Sequence, residues 1–199
     1  MKQTDQHWFI SDLHLDEPGV IEHDKRPFAS PAEQTAFLTD SCASEARRNR
    51  TLWVLGDVAR RRPTVEAFLA AQSGWGAVRL VRGNHDDRGA WQLRDLWASA
   101  HEAFYLRVDN DVSAYLSHYA HRVWRNSHRG AYHIHGHSHG GLRKWEHSSR
   151  EWAVQDKREI PYGRSTDVSA NCIDYKPRCL TAIVEELKNQ PHINHHEPT

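Results

Sequence analysis

Short apolar runs of strand length recur along the chain, at His7 to Ile10, at residues 52–55 and at Ala77 to Val81. Each stops at a polar or glycine-containing turn: Ser11-Asp12-Leu13-His14, Gly56-Asp57 and Gly83-Asn84-His85-Asp86. Between them the pattern predicts helices. Ser30-Pro31-Ala32-Glu33 offers Ser at the N-cap, Pro at the first helical position and Glu at the third, a capping box opening a helix that runs toward Asn49. A second helix is expected from near Thr64 to about Gly74 and another over residues 90–99, whereas Pro18, Gly19 and Pro27 mark a loop.

Further on the rhythm changes. Residues 104–108 and 112–117 flank Asp109-Asn110-Asp111 and predict a hairpin, with more strands at 131–135 and 168–173. Strands alternating with helices, then strands returning as hairpins, predict a layered α/β domain in which two sheets pack together under flanking helices. The polar, irregular stretch 143–164 is expected to be surface structure. One domain is expected over residues 1–186, with 187–199 a polar, flexible tail that holds His192 to His196.

A length of 199 residues suits one domain with a full core. Lysine plus arginine equals aspartate plus glutamate at 26 each, so no global field draws the protein to nucleic acid or an anionic membrane, and no strong nucleic-acid patch is seen. The three cysteines, Cys42, Cys172 and Cys179, are odd in number and form no CxxC pair, which argues against a disulfide framework and against a zinc knuckle. A reducing, cytoplasmic setting is expected. Trp8-Phe9-Ile10 is too short for a signal-peptide core, and no segment approaches membrane-spanning length.

Sixteen histidines change the picture, because imidazole is the commonest metal ligand. Asp12-x-His14, Asp57, Asn84-His85-Asp86, His118 and His137-x-His139 all lie just beyond strand ends. In open α/β sheets the carboxyl ends of the strands form the ligand crevice, so these positions can converge while far apart in sequence. In an extended chain residues i and i+2 project to one side, so Asp12 with His14, and His137 with His139, could each serve one centre. Gly56, Gly83 and Gly136 permit sharp turns and close approach just before them. Singly each motif has an ordinary alternative: Gly-Asp is a common turn, and His118 could be a hydrogen-bonded structural histidine. In this order, each after a strand, they form a joint signal.

Asp12-Leu13-His14, Gly56-Asp57, Gly83-Asn84-His85-Asp86, His118 and Gly136-His137-Ser138-His139 together resemble the signature series of the calcineurin-like metallophosphoesterases. Ser117-His118-Tyr119, Trp124, His128-Arg129-Gly130 and Asp167-Val168-Ser169 through Asp174-Tyr175-Lys176-Pro177 further resemble a small bacterial and phage-type branch of predicted phosphoesterases. The resemblance implies a four-layer αββα sandwich of two mixed β-sheets flanked by helices. It also implies two divalent metal ions, one held by Asp12, His14, Asp57 and His139, the other by Asp57, Asn84, His118 and His137. The mixed nitrogen and oxygen set suits Mn, Fe, Zn or Ni. Such ions, about 3.5–4 Å apart, would turn a bridging water into hydroxide for in-line attack on phosphorus. His85 is then the candidate proton donor to the leaving oxygen or stabiliser of the pentacovalent state, and Asp86 either orients it or caps the following helix.

One of Arg60, Arg61 and Arg62 could fork onto a phosphate oxygen, while the others belong to a solvated charge run. Arg122, Trp124, His128 and Arg129 could form a loop over the substrate, with Trp124 either stacking on a base or filling the core. Phosphoprotein phosphatases usually read Gly-Asp-x-x-Asp-Arg-Gly and Gly-Asn-His-Glu. Here Gly56-Asp57-Val58-Ala59-Arg60-Arg61-Arg62 and Gly83-Asn84-His85-Asp86 depart from that pattern, which counts against a protein phosphatase. The expected substrate is a small phosphoester, nucleotide-like ones included, with diesters preferred. The rivals are a phosphomonoesterase acting on nucleotides or nucleic-acid ends, a catalytically silent scaffold and a mononuclear zinc module; oligomeric state is written in no motif.

Overall fold

The computed structural model describes residues 2–142 and 163–190. Two mixed sheets flanked by helices make up the fold, as the layered α/β reading expects. The first sheet is built from β1 (His7–Ile10), β2 (Thr51–Val54) and β3 (Ala77–Val81), joined in parallel with Ile10 opposite Val54 and Val54 opposite Leu80. Parallel strands need crossovers, and these are helical: α1 (Pro18–Asp24) and α2 (Pro31–Ser44) follow β1, and α3 (Arg62–Ala71) follows β2. Phe9, Ile10, Leu52, Trp53, Val54, Leu80 and Val81 are buried, which explains why these strands read as unbroken apolar runs.

The edges of this sheet differ from the expected pattern. The stretch 90–99 forms no α-helix: after a 3₁₀ turn at Arg94–Leu96 the chain becomes β4 (Ser99–His101), pairing in parallel with the open edge of β3. The Ala98 N–H already donates to Val78 O at 2.9 Å, so sheet pairing overrides local helix propensity.

The second sheet runs β5 (Ala103–Arg107), β6 (Ser113–Ser117), β7 (Tyr132–His135) and β8 (Ser165–Asp167). The β5–β6 hairpin is turned by Asp109, whose Oδ1 accepts from the N–H groups of Asp111 and Val112. The strand expected at 168–173 lies earlier, as β8, because Ser169 N–H bonds back to Asp167 Oδ1 and the chain then enters a 3₁₀ turn. At the other edge of the first sheet β9 (Arg178–Cys179) pairs antiparallel with β1 and leads into α4 (Leu180–Leu187), which buries Leu180, Ile183 and Leu187.

Two helices also depart from expectation. Pro18 starts α1 rather than breaking the chain, since at the first helical position its missing N–H costs nothing. In α2, Ser30 Oγ accepts from Glu33 N–H at 3.2 Å, but the Glu33 carboxylate accepts from Ala29 N–H, one residue before the cap, and the helix ends at Ser44 rather than near Asn49. Most of the stretch 143–164, and His192 to His196, fall outside the described residues, among which no helix is long and apolar enough to cross a membrane.

The sheets meet in one core, where Trp53 and Phe104 ring centroids lie 4.8 Å apart. At their carboxyl ends they are stitched directly, by a parallel bridge between Ser11 and Ser169. Trp124 belongs to this interior: it is 6% exposed, donates from Nε1 to Ala131 O and stacks on His133 at 5.0 Å, so it fills the core.

His133 is held neutral between two hydroxyls. The Ser117 hydroxyl donates to Tyr119 O and therefore accepts from His133 Nε2 at 2.9 Å, while Ser165 Oγ lies 3.0 Å from Nδ1. Burial first, then the nearby His135 and His121 rings, keep this imidazole well below the ordinary 6.5. Below that pH the unfolded chain binds a proton that folded His133 refuses, so its contribution to stability is lost as pH falls. The unfolding free energy of wild type minus that of His133→Gln should therefore shrink between pH 7 and 5, approaching about 1.4 kcal/mol per pH unit in urea titrations. A pH-independent difference would contradict the neutral, buried assignment.

Candidate metal centre

The loops that leave β1 and β2 are zipped together. Asp12 N–H donates to Gly56 O at 3.0 Å, His14 N–H to Asp57 O at 2.9 Å and Leu15 N–H to Val58 O at 2.9 Å. The chain must turn sharply to do this and still aim side chains into the crevice. Asp12, His14, Asp57, His137 and His139 all adopt left-handed backbone, with φ of 55°, 46°, 55°, 66° and 47°. For non-glycine residues each such conformation costs on the order of 1 kcal/mol or more and persists only where the surroundings over-determine it.

Asp12 and Asp57 divide their oxygens. Asp12 Oδ2 accepts from His137 N–H at 2.9 Å and from the Ser169 hydroxyl at 2.8 Å, whereas Oδ1 lies 3.1 Å from His139 Nε2 and 3.9 Å from His14 Nε2. Asp57 Oδ1 accepts from His85 N–H at 2.8 Å, and Oδ2 stands 3.6 Å from His14 Nε2 and 3.4 Å from His118 Nε2. Two donor groups result, Asp12/His14/His139 and Asp57/His118/His137, each with its ligand atoms within 4.8 Å of one another. Asn84 Oδ1 joins the second, 3.0 Å from His118 Nε2.

Both groups fit divalent cations. Their donors are imidazole nitrogens and carboxylate or amide oxygens, and two glycines keep the space clear: a Cβ on Gly136 would sit 2.0 Å from Ser11 Oγ and 2.3 Å from Asp12 Oδ2, and one on Gly83 would sit 2.2 Å from Asp57 Oδ1. The charges point the same way. Burial opposes ionisation of Asp12, yet the His139 hydrogen bond and the His118 charge hold its carboxyl well below the ordinary value. Burial likewise opposes protonation of His118 and His139, but the Asp57 bond raises the first to about 9 and the Asp12 and Asp24 bonds raise the second to about 10. Cation-like charge is what these carboxylates are arranged to hold.

Residues 7–169 match the family described as Calcineurin-like phosphoesterase. The chain belongs to that family. Among its relatives, an uncharacterized protein of Methanocaldococcus jannaschii is 25% identical over 182 residues, covering 91% of this chain and 90% of the relative. The Gene 66 protein of Mycobacterium phage L5 is 28% identical over 163 residues, covering 68% of this chain and 78% of that protein. In structure, a protein of unknown function from Aquifex aeolicus superposes with a TM-score of 0.66 at 19% identity, over 90% of this chain and 98% of its own, a likeness of fold.

In this calcineurin-like phosphoesterase the strand-end motifs converge, but not as extended-chain spacing expects. Asp12 and His14 meet in one group through left-handed backbone, and His137 and His139 fall into different groups. His85 lies beside them, its ring 5.2 Å from that of His14. Asp86 is fully buried: Oδ2 accepts from Gly83 N–H at 2.8 Å and Asp57 N–H at 3.0 Å, Oδ1 from Val58 N–H at 3.0 Å, and burial pushes its carboxyl up to about 6. The His85 ring is met instead by Arg60, and Arg61 pairs with Asp16. Arg122, His128 and Arg129 lie on the β6–β7 connection, outside both donor groups.

Four residues were not legible as parts of the site. Asp24, at the end of α1, hydrogen-bonds His139 Nδ1 and leaves Nε2 facing Asp12. Arg26 is buried and donates to the carbonyls of Asp12 and Leu13, and Gln34 Nε2 donates to that of His14, so the strained loop is held from behind. Asp167 accepts from the Ser138 hydroxyl and from the N–H groups of Gly140 and Ser169, fixing the loop that carries His137 and His139. Asp24, Arg26 and Gln34 are single polar residues outside any motif, with the charged Asp24-Lys25-Arg26 cluster before Pro27 as a faint cue, while Asp167 opens the Asp167-Val168-Ser169 segment, to which the resemblance gives no role at the site.

Asp86→Ala would strand three buried N–H groups at about 1–3 kcal/mol each. The metal-free variant should therefore melt roughly 6–12 °C or more below wild type in a thermal scan. A variant as stable as wild type but slow in turnover would instead assign Asp86 a catalytic role.

Proposed function

We propose that this protein is a binuclear, divalent-metal-dependent phosphoesterase that hydrolyses small phosphodiesters, nucleotide-like ones included, in preference to monoesters. The observation that carries the reading is the position of Asp57 Oδ2, 3.6 Å from a histidine of one donor group and 3.4 Å from a histidine of the other, so that one carboxylate can serve both. Asp12, His14, Asp57 and His139 would hold one ion, and Asp57, Asn84, His118 and His137 the other, with Mn, Fe, Zn and Ni suited to the donors. When bound, the two cations supply Lewis acidity toward the phosphoryl oxygens and lower the pKa of attacking water. His85, adjacent to Asn84 and packed on His14, meets the leaving oxygen and protonates it or stabilises the pentacovalent state through a hydrogen bond.

The preference for diesters rests on charge. A monoester dianion carries one more negative charge than a diester and gains more from an additional guanidinium fork. Arg60 is engaged with His85 and Glu17, and Arg61 with Asp16, so neither presents a free fork.

Steady-state turnover of bis-p-nitrophenyl phosphate against p-nitrophenyl phosphate, with Mn, Ni, Zn or Mg added, tests this. The diester should have the larger kcat/KM, and a strong monoester preference would move the assignment to a nucleotide or nucleic-acid-end phosphatase. Asp57→Asn should weaken metal occupancy in both groups, whereas His85→Ala should keep the metal and lower kcat by about 10²–10⁴ on diesters with an alkoxide leaving group. Unchanged activity in both variants would refute the reading.

A further inference from the structure

Arg60 lies 2.8 Å from His85 through Nη2 and Nδ1. A guanidinium has donors only, so this contact makes Nδ1 the acceptor and places the ring proton on Nε2. The guanidinium is itself anchored, with Nε 3.2 Å from Glu17 Oε2. Glu17 in turn reaches the first donor group, its Oε1 lying 3.4 Å from His14 Nδ1. The Glu17 side chain is 16% exposed against 59% for Arg60, so the acid is the fixed end of the chain and the arginine its outer link. The His85 ring packs edge-to-face on His14, at 72° and 5.2 Å, which closes a circuit from His14 through Glu17 and Arg60 to His85 and back.

We infer that Glu17 and Arg60 form a strut that fixes the tautomer and direction of His85, so that Nε2–H is aimed as a hydrogen-bond donor at the leaving oxygen and Arg60 is a positioning residue, not a contact to the substrate phosphate. The inference rests on the reading of His85 as the group that meets the leaving oxygen. It turns on polarity: a carboxylate at position 60, as the Gly-Asp-x-x-Asp series would place there, could only accept from Nδ1. An arginine leaves Nε2–H as the ring's sole donor. Holding a side chain through its far nitrogen in this way selects tautomer and orientation together.

The test begins on metal-free protein with ¹⁵N-labelled histidine, the His85 signals being identified by their absence in His85→Gln. Two-bond ¹H–¹⁵N correlation should show a protonated Nε2 and a hydrogen-bonded, unprotonated Nδ1. In Arg60→Ala the Nδ1 resonance should move to the position of a free acceptor, with Glu17→Gln in between. A proton on Nδ1 in wild type, or an unchanged spectrum in Arg60→Ala, would overturn the strut.

The second arm is kinetic, on metal-loaded protein with a series of diesters. Arg60→Ala should lower kcat by about 10- to 100-fold for alkoxide leaving groups, leave KM and p-nitrophenolate release nearly unchanged, and have no effect in a His85→Ala background. A raised KM with unchanged kcat, or a loss that persists without His85, would make Arg60 a phosphate contact and overturn the inference. If wild type hydrolyses no phosphoester, the proposed activity falls, and the nuclear resonance result alone decides the strut.

Discussion

Asp12 and Asp57 each use one carboxylate oxygen to hold the backbone of a distant loop and leave the other among imidazoles. Through Oδ2, Asp12 fixes the His137 N–H and the Ser169 hydroxyl; through Oδ1, Asp57 fixes the His85 N–H. Loops from both sheets are thereby tied to the same two side chains that give the donor groups their carboxylates. The division also explains the buried Asp86, whose two oxygens both bind backbone and which holds Asp57, Val58 and Gly83 in register from beneath. Neutralising either of the first two aspartates would loosen a loop and empty a donor position at once.

This arrangement is possible only because the backbone accepts strain. Five donor residues sit in left-handed conformations, and their stress is met by neighbours with no part in the chemistry: Arg26 and Gln34 bind the carbonyls of residues 12–14, and the bare Cα positions of Gly83 and Gly136 admit the carboxylates. Rigid strand ends supply the frame, and the Ser11–Ser169 bridge locks the sheets together where the loops begin. Local order at the site is thus a product of the whole layered fold.

The sequence revealed most clearly what is encoded locally. Strands β1, β2 and β3, the β5–β6 hairpin and the Ser30 cap are each signalled by runs and turns of a few residues, and the donors announce themselves because each follows such a run. What needed the fold was hidden. Residues 90–99 leave helix for an edge strand because β3 offers unpaired backbone, and Trp124 is drawn inside by His133 and the Ala131 carbonyl. Asp24 and Arg26 sit in no motif, and only α1 and the turn after it bring them onto His139 and the Asp12 loop. Arg60 reads as a free cation until Glu17 and His85 are seen on either side of it.

In this calcineurin-like phosphoesterase Asp57 stands between the two donor groups, its Oδ2 3.6 Å from His14 Nε2 and 3.4 Å from His118 Nε2, and the proposed centre needs it to serve both. Anomalous diffraction from a crystal of the manganese-loaded protein addresses that claim most directly. The account predicts two manganese peaks per chain, one among Asp12, His14 and His139 and one among His118, His137 and Asn84, with Asp57 in contact with both. A single fully occupied peak, or two peaks with Asp57 touching only one, would contradict it.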